Sequence, residues 1–119
     1  IAKELGCNKL ALGHHRDDAV ESLLMSMMFN GTMASMPPRL EMFGGTFTLI
    51  RPFIYLSNED TSRYAAYRGF RQQKKQCPYE RATNRDAVAR IIREMEALSP
   101  HVRNNLFAAM TNIQKEYLP

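Results

Sequence analysis

The sequence contains no tryptophan and only two cysteines among its 119 residues. Cys7 and Cys77 lie far apart and neither has a CxxC partner, which excludes a disulfide scaffold and a complete zinc site built from this chain alone. No apolar run approaches the roughly 18 residues that a membrane span needs, and the amino terminus lacks the pattern of a signal peptide. We therefore expect no membrane association and a location in the reducing cytoplasm.

Hydrophobic residues make up 45% of the sequence, which is enough for a packed core without disulfides. The opening Ile1–Gly6 is typical of the last turns of a helix that closes on a glycine, with no initiator methionine before it. We therefore expect a fragment whose beginning is missing. Cys7 follows in an apolar context, and we predict that it lies in the core.

Two segments have the composition of strands. The short apolar run Lys9–Gly13 predicts a buried parallel strand, and Phe47–Leu56, rich in β-branched and aromatic residues, predicts a second strand. The intervening residues 31–46 predict a loop or a hairpin-like excursion. Two strands do not complete a domain that buries both faces of a parallel sheet, so more strands are expected outside this sequence.

Four helices are predicted around these strands. An apolar stripe from Val20 to Met28 predicts a first helix ending near Asn30, and a capping box at Ser57–Asp60 begins a second that stops at Gly69. A third begins at Thr83 or Asn84. Ser99-Pro100 is expected to end the third helix and to begin the fourth.

A polar cluster, His14-His15-Arg16-Asp17-Asp18, follows the first predicted strand, where open α/β sheets bind ligands. Two carboxylates beside a helix start suit Mg²⁺ together with a nucleotide, and the imidazoles suit phosphate or a nucleobase. The alternative is that acidic residues merely stabilise the helix start or cap it. Adjacent histidines lack the spacing of zinc ligands.

Arg51-Pro52 closes the second predicted strand, and Pro52 marks the edge or end of that strand. The Arg51 guanidinium is suited to phosphate, and its alternative role is that of an ordinary edge-strand arginine.

The formal net charge is +4, and the positive charge is concentrated between Arg63 and Arg93, a segment with nine basic residues and only two acidic ones. This segment is a candidate surface for a polyanion, and the alternative is a set of solvated helix faces. Cys77 lies inside it, between Lys75 and Pro78, where positive charge favours the thiolate. Cys77 is thus a candidate nucleophile, a persulfide carrier, or one ligand of a metal cluster completed elsewhere.

Four motifs in this order carry a family resemblance: Leu12–Asp18, Met36-Pro37-Pro38, Ile50–Phe53 and Cys77-Pro78-Tyr79. Together they resemble the C-terminal half of the PP-loop, or N-type, ATP pyrophosphatases, in the branch that makes 2-thiocytidine and 2-thiouridine in tRNA. The resemblance implies an α/β fold, namely the C-terminal part of an adenine nucleotide alpha hydrolase-like (Rossmann-like) parallel sheet domain, followed by a helical tail. Residues 1–56 would belong to the nucleotide-binding domain and residues 57–119 to a helical region with a basic loop at 70–83.

The resemblance also implies a chemistry, in which ATP adenylates a tRNA base carbonyl and sulfur then replaces the oxygen. His14, His15 and Arg51 would bind ATP, Asp17 and Asp18 would be catalytic, and Asp18 would contact Mg²⁺. Cys77 would be catalytic or would bind an iron–sulfur cluster whose other ligands lie outside this chain. The residues implied in tRNA binding are Arg68, Arg71, Lys74, Lys75, Arg81 and Arg85.

The family's SGGxDS phosphate loop and CxxC pair are absent from these residues, so the chain alone is expected not to catalyse. The expected partners are tRNA, a sulfur donor and a second copy of the protein. Two rival hypotheses remain. One is a lysidine synthetase-like adenylating enzyme, which would not need Cys77, and the other is a non-catalytic module for RNA binding or dimerisation.

Overall fold

The computed structural model describes residues 1–71 and 83–119, and the chain divides into two compact units. The first unit comprises Ile1–Ala19 and Met36–Gln72, and the second comprises Val20–Ser35 and Gln73–Pro119. The division into domains at residue 56 stays a prediction.

A three-stranded sheet forms the centre of the first unit. Its strands are β1 (Lys9–Ala11), β2 (Arg39–Met42) and β3 (Phe47–Ile50), in the spatial order β1-β3-β2. β1 runs parallel to β3, with Leu10 opposite Leu49, and β2 runs antiparallel to β3. The α/β class is confirmed, but the count of two strands was wrong and the sheet is mixed.

The additional strand arises because residues 31–46 contain half of a hairpin. A short 3-10 turn, Phe43–Gly45, joins β2 to β3, and all three of its residues have positive φ. The two glycines adopt this left-handed conformation without a Cβ clash, which lets the chain reverse within three residues. Of the two predictions for residues 31–46, a loop or a hairpin-like excursion, the hairpin is therefore confirmed.

β1 and Cys7 are more exposed than expected. All three residues of β1 are exposed, and the Cys7 thiol is exposed as well, so the predictions of a buried strand and a core cysteine were wrong. The cause is the position of β1 at the edge of the sheet, where β3 is its strand neighbour within the described residues.

Two helices begin in the first unit at caps that the sequence encodes. Helix α1 (Arg16–Asn30) ends before Gly31, as predicted, and α2 (Asn58–Tyr67) begins at the predicted capping box. In that box the Ser57 hydroxyl accepts from the Asp60 backbone N–H at 3.0 Å. The hydroxyl and the backbone N–H of Ser57 donate in return to the Asp60 carboxylate, and these bonds lower the pKa of Asp60 below its ordinary value.

The second unit is built on helix packing. Val20, from the part of α1 that belongs to this unit, packs with Val88 and Ile92 of α3 (Asn84–Leu98), and all three side chains are at most 1% exposed. Burial of each such side chain contributes roughly 1.5–3 kcal/mol. Two other apolar side chains of α3, Ile91 and Leu98, are exposed by contrast.

The last helix, α4, spans Val102–Ala109 and begins later than the predicted start at Ser99-Pro100. Ser99 is extended and caps the end of α3, so it does not begin α4, and His101 occupies the position before the first turn. Ile113 and Tyr117 lie beyond α4 and are exposed. Within the described residues, no helix is long and apolar enough to cross a membrane.

Candidate functional site

The candidate site lies at the carboxyl ends of the two parallel strands. The chain leaves β1 through Leu12, whose N–H donates to the Ile50 carbonyl at 2.9 Å, so the segments that follow β1 and β3 stay side by side. His14 follows β1 and Arg51 follows β3. As a result, Arg51 Nε donates to His14 Nδ1 at 3.3 Å across 37 positions of sequence.

Arg51 also holds the proline pair before β2. Its Nη1 donates to the Pro37 carbonyl at 2.7 Å, and its backbone N–H donates to the Pro38 carbonyl at 2.8 Å. Proline has no backbone N–H, so this segment can only accept, and Arg51 supplies the donors. We call His14, Pro37 and Arg51 the carboxyl-end cluster. It joins three motifs that lie apart in the sequence.

The contact with Arg51 fixes the chemistry of His14. Because Nδ1 accepts a hydrogen bond, the neutral imidazole carries its proton on Nε2. His14 is half-buried and therefore presents an Nε2–H donor beside a guanidinium. The cationic Arg51 guanidinium and the neutral His14 imidazole are thus two hydrogen-bond donors at one strand end. Such donors suit a ligand rich in acceptors, such as a phosphate or a base carbonyl.

His15 has a different role, because it caps α1. Its Nδ1 accepts from the Asp18 backbone N–H at 3.3 Å, and the Asp18 carboxylate accepts from the His15 backbone N–H at 2.9 Å. This reciprocal pair has the spacing of a capping box, with imidazole in place of a hydroxyl. Asp18 therefore helps to cap α1, which is the alternative to metal binding that the sequence left open for the acidic residues.

Asp17 links the starts of two helices. It is only 7% exposed, and its Oδ2 accepts from the backbone N–H of Asn58, the first residue of α2, at 2.8 Å. The Arg16 backbone N–H donates to the Leu56 carbonyl at 2.8 Å beside it. A buried carboxylate at a helix amino terminus satisfies an otherwise unpaired donor and the positive end of the helix dipole.

Of the two implied cofactors, ATP fits these residues and Mg²⁺ does not. The carboxyl-end cluster offers donors that match the phosphates or base of ATP. No three His, Cys, Asp or Glu side chains converge on a metal position within residues 1–71 and 83–119. Asp17 and Asp18 already accept backbone hydrogen bonds, so the described residues do not build a Mg²⁺ site by themselves.

The predicted tRNA-binding residues fall into three groups. Arg85 Nη1 contacts Glu21 at 3.2 Å and Arg85 Nη2 donates to Ser22 at 3.1 Å, so its charge is partly neutralised within the second unit. Arg68 and Arg71 are exposed in the first unit. Four predicted site residues lie outside the described part of the chain: Lys74, Lys75, Cys77 and Arg81.

Sequence reasoning missed two features of this region. The Pro37 carbonyl is a partner of Arg51, and the available signal was the proline pair placed directly before a strand. The capping role of His15 was also missed, although the three-residue spacing between His15 and Asp18 is that of an N-cap and its N3 partner.

Comparisons with known proteins identify relatives along nearly the whole chain. The tRNA-cytidine(32) 2-sulfurtransferase of Syntrophotalea carbinolica is 40% identical over 99% of this chain and 46% of its own length. The proteins of the same name from Verminephrobacter eiseniae and Sorangium cellulosum are 42% and 40% identical, each over 99% of this chain. These alignments cover 38% and 42% of the two relatives, so the chain spans under half the length of the curated relatives that it matches.

A solved structure has a similar fold. The U34-tRNA thiolase NcsA from Methanococcus maripaludis, determined with its 4Fe–4S cluster, superposes with a TM-score of 0.68. The match covers 99% of this chain and 40% of that one at 20% sequence identity, which supports the fold alone. No family model matches the chain. The relatives nevertheless confirm, over nearly the whole chain, its predicted resemblance to the tRNA-thiolating branch of the PP-loop ATP pyrophosphatases.

Proposed function

We propose that this chain is part of an ATP-dependent enzyme that replaces a carbonyl oxygen of a tRNA cytidine with sulfur. The observation that carries the proposal is the meeting of His14, Pro37 and Arg51 at the carboxyl end of parallel strands. The relatives named tRNA-cytidine(32) 2-sulfurtransferase supply the substrate class and favour thiolation over lysidine synthesis. Cytidine 32 of tRNA is thus the proposed target, and the cytoplasm the proposed location.

In this proposal the carboxyl-end cluster binds and orients the nucleotide. ATP, when bound, would adenylate the base carbonyl with release of pyrophosphate, and AMP would leave when sulfur replaces the oxygen. The Nε2–H of His14 donates to a phosphate or base acceptor, and the Arg51 guanidinium keeps His14 in the tautomer that can donate. Arg51 also adds positive charge beside the phosphates. Asp17 and Asp18 hold the helix starts that frame the site.

The second half of the reaction needs groups beyond those described. We propose Cys77 as the residue that carries sulfur or binds an iron–sulfur cluster with cysteines from outside this chain. A sulfur donor regenerates it, the arginines of the basic segment bind tRNA phosphates, and the enzyme acts as a homodimer. The cluster alternative is included because the structural neighbour was determined with a 4Fe–4S cluster.

The test is the nucleoside content of tRNA in cells. Disrupting the gene that encodes the chain is expected to remove 2-thiocytidine from digested tRNA, as measured by mass spectrometry, and reintroducing the gene is expected to restore it. A gene carrying Cys77→Ser should not restore it. Unchanged 2-thiocytidine after disruption would contradict the proposal, and full activity of Cys77→Ser would favour a reaction that does not use this thiol.

A further inference from the structure

An exposed aromatic surface lies at the end of α2, in the first unit. Tyr64, Tyr67 and Phe70 expose 56%, 86% and 62% of their surface. We call these three residues, with Arg68, the aromatic patch. Tyr64 and Tyr67 are three positions apart on α2, so they are neighbours on its surface.

The patch is held in place by the way in which α2 ends. Gly69 has a φ of +65°, its N–H donates to the Ala66 carbonyl, and the Phe70 N–H donates to the Ala65 carbonyl, both at 3.0 Å. These are the two bonds of a Schellman motif, which turns the chain back over the helix. The Phe70 ring therefore meets the Tyr64 ring edge to face, with centroids 6.4 Å apart.

Arg68 adds a planar cation to the same surface. Its guanidinium carbon lies 5.9 Å from the Tyr64 centroid and 6.0 Å from the Phe70 centroid, and its Nη1 donates to the Tyr64 hydroxyl at 3.2 Å. The arrangement is a cation–π cluster that limits the motion of both rings. Because Tyr64 and Phe70 are each still more than half exposed as residues, their side chains remain accessible to a ligand.

The Schellman motif explains the contact between the Phe70 and Tyr64 rings. It does not explain why three aromatic side chains are exposed among positive charges. Residues 61–71 contain Arg63, Arg68 and Arg71, all exposed, and no acidic residue. Aromatic faces beside arginines complement a single-stranded nucleic acid, whose bases stack while its phosphates are neutralised. An acidic or apolar peptide would use either the charges or the rings, whereas unpaired RNA uses both.

We propose that the aromatic patch stacks an unpaired nucleobase of RNA, in the loop of the tRNA substrate. The proposal rests on the proposed function for the identity of the RNA, and it adds a contact that reads an unstacked base rather than a phosphate. Arg63 and Arg71 bind the neighbouring phosphates, and Tyr64 and Phe70 supply the faces.

The first experiment measures the affinity of the full chain for an RNA hairpin with an unpaired loop. Phe70→Leu and Tyr64→Leu keep an apolar contact at the helix end but remove the aromatic face. Each is expected to weaken binding about 5- to 100-fold while leaving the salt dependence unchanged. Arg71→Gln is expected to lower that salt dependence by about one phosphate contact. Tyr117→Leu, at a tyrosine that is 80% exposed in the C-terminal tail, is the matched control and should bind like the unchanged chain.

The second experiment uses the absence of tryptophan from the sequence. Tyr67→Trp introduces a single fluorophore into the patch, and its emission should be quenched by the looped hairpin. The same hairpin with abasic loop nucleotides should not quench it. This readout decides the question even if circular dichroism shows that a leucine variant has lost helix.

The outcomes separate the two proposals. Equal affinity of Phe70→Leu, Tyr64→Leu and the unchanged chain, or equal quenching by the abasic hairpin, would overturn base stacking and leave the thiolation proposal standing. Preference for a fully paired duplex over the looped hairpin would also overturn it. Loss of cellular 2-thiocytidine on gene disruption tests the thiolation proposal independently of either result.

Discussion

The two ends of the sheet in the first unit differ in how their side chains are held. At the carboxyl ends of β1 and β3, Arg51 bonds to His14 and Pro37, which are 37 and 14 positions away in sequence. At the amino ends, Cys7 and Thr46 bond to carbonyls only two and three positions away. A cavity of about 450 Å³ at that end is lined largely by apolar groups, including exposed Phe43.

This contrast indicates where chemistry is possible. A reacting group must be held by several chain segments so that its geometry survives thermal motion, and long-range polar bonds provide this at one end of the sheet. The amino end has a thiol and two phenylalanines, but the side-chain hydrogen bonds of Cys7 and Thr46 there fix only local turns. The exposed Cys7 thus lacks the surroundings of an active-site cysteine.

The largest expected effect is removal of the Arg51 side chain. Arg51→Ala leaves the Pro37 carbonyl and His14 Nδ1 without their shared donor, so we expect a loss of about 1.5–3 kcal/mol in the free energy of unfolding. Cellular 2-thiocytidine should fall by roughly tenfold or more, because His14 loses its fixed tautomer. Urea denaturation and tRNA mass spectrometry measure the two effects.

Arg39→Ala is the matched control in the same sheet. Arg39 pairs with Glu41 at 2.6 Å, but both side chains are more than half exposed, so the expected loss is about 0–1 kcal/mol with thiolation retained. Equal losses from the two arginine variants would remove the distinction between the carboxyl-end cluster and an ordinary surface pair.

Asp17→Asn is expected to have the next largest effect. The buried carboxylate accepts from the first N–H of α2, and replacing it with a neutral amide weakens a charge-assisted bond, at a cost of about 1–3 kcal/mol in unfolding free energy. Thermal unfolding measures the change. Glu41→Gln, on an exposed strand position, serves as the comparison and should change stability little.

At the opposite end, a substitution is expected to stabilise the protein. Phe43 is the only non-glycine among the described residues with positive φ, at +52°, and its side chain is 74% exposed. Phe43→Gly relieves that backbone strain and should raise the free energy of unfolding by up to about 1 kcal/mol. Phe43→Ala keeps a Cβ and should not. A loss of stability in the glycine variant would show that the exposed ring packs usefully.

The smallest effect concerns acid. The hydrogen bonds from Ser57 lower the pKa of Asp60, so the folded state binds this proton less readily than the unfolded state. The resulting stabilisation is present above the ordinary aspartate pKa, about 3.9, and is lost as the pH falls through the folded value. Asp60→Asn should therefore be less stable than the unchanged chain near neutral pH and should approach it in strong acid. A stability difference that does not change with pH would contradict this.

The sequence predicted what is encoded locally. The capping box at Ser57, the start of α3 at Thr83 or Asn84, the end of α1 at Gly31 and the end of α2 at Gly69 are each encoded in a few adjacent residues, and each is where it was expected. The wrong predictions for β1 and Cys7 concern burial, which depends on the elements that pack beside a segment. β1 has the composition of a buried strand, but its exposure depends on its place at the edge of the sheet.

The candidate site was predictable only in part for the same reason. Motifs identified His14 and Arg51 separately, and the parallel register of β1 and β3 brought them together. Nothing in the sequence states that Arg51 would contact His14 and a proline carbonyl at once. The first contact depends on the pairing of β1 with β3, and the second depends on the hairpin that places Pro37 beside β3.

The imidazole cap of α1 has a consequence for the placement of His14. The His15 backbone N–H donates to the Asp18 carboxylate, and His15 Nδ1 accepts from the Asp18 backbone N–H. The residue directly after His14 is therefore tied to the first turn of α1 through both its backbone and its side chain. The two adjacent histidines thus have separate roles, because His15 holds the backbone from which His14 contacts Arg51.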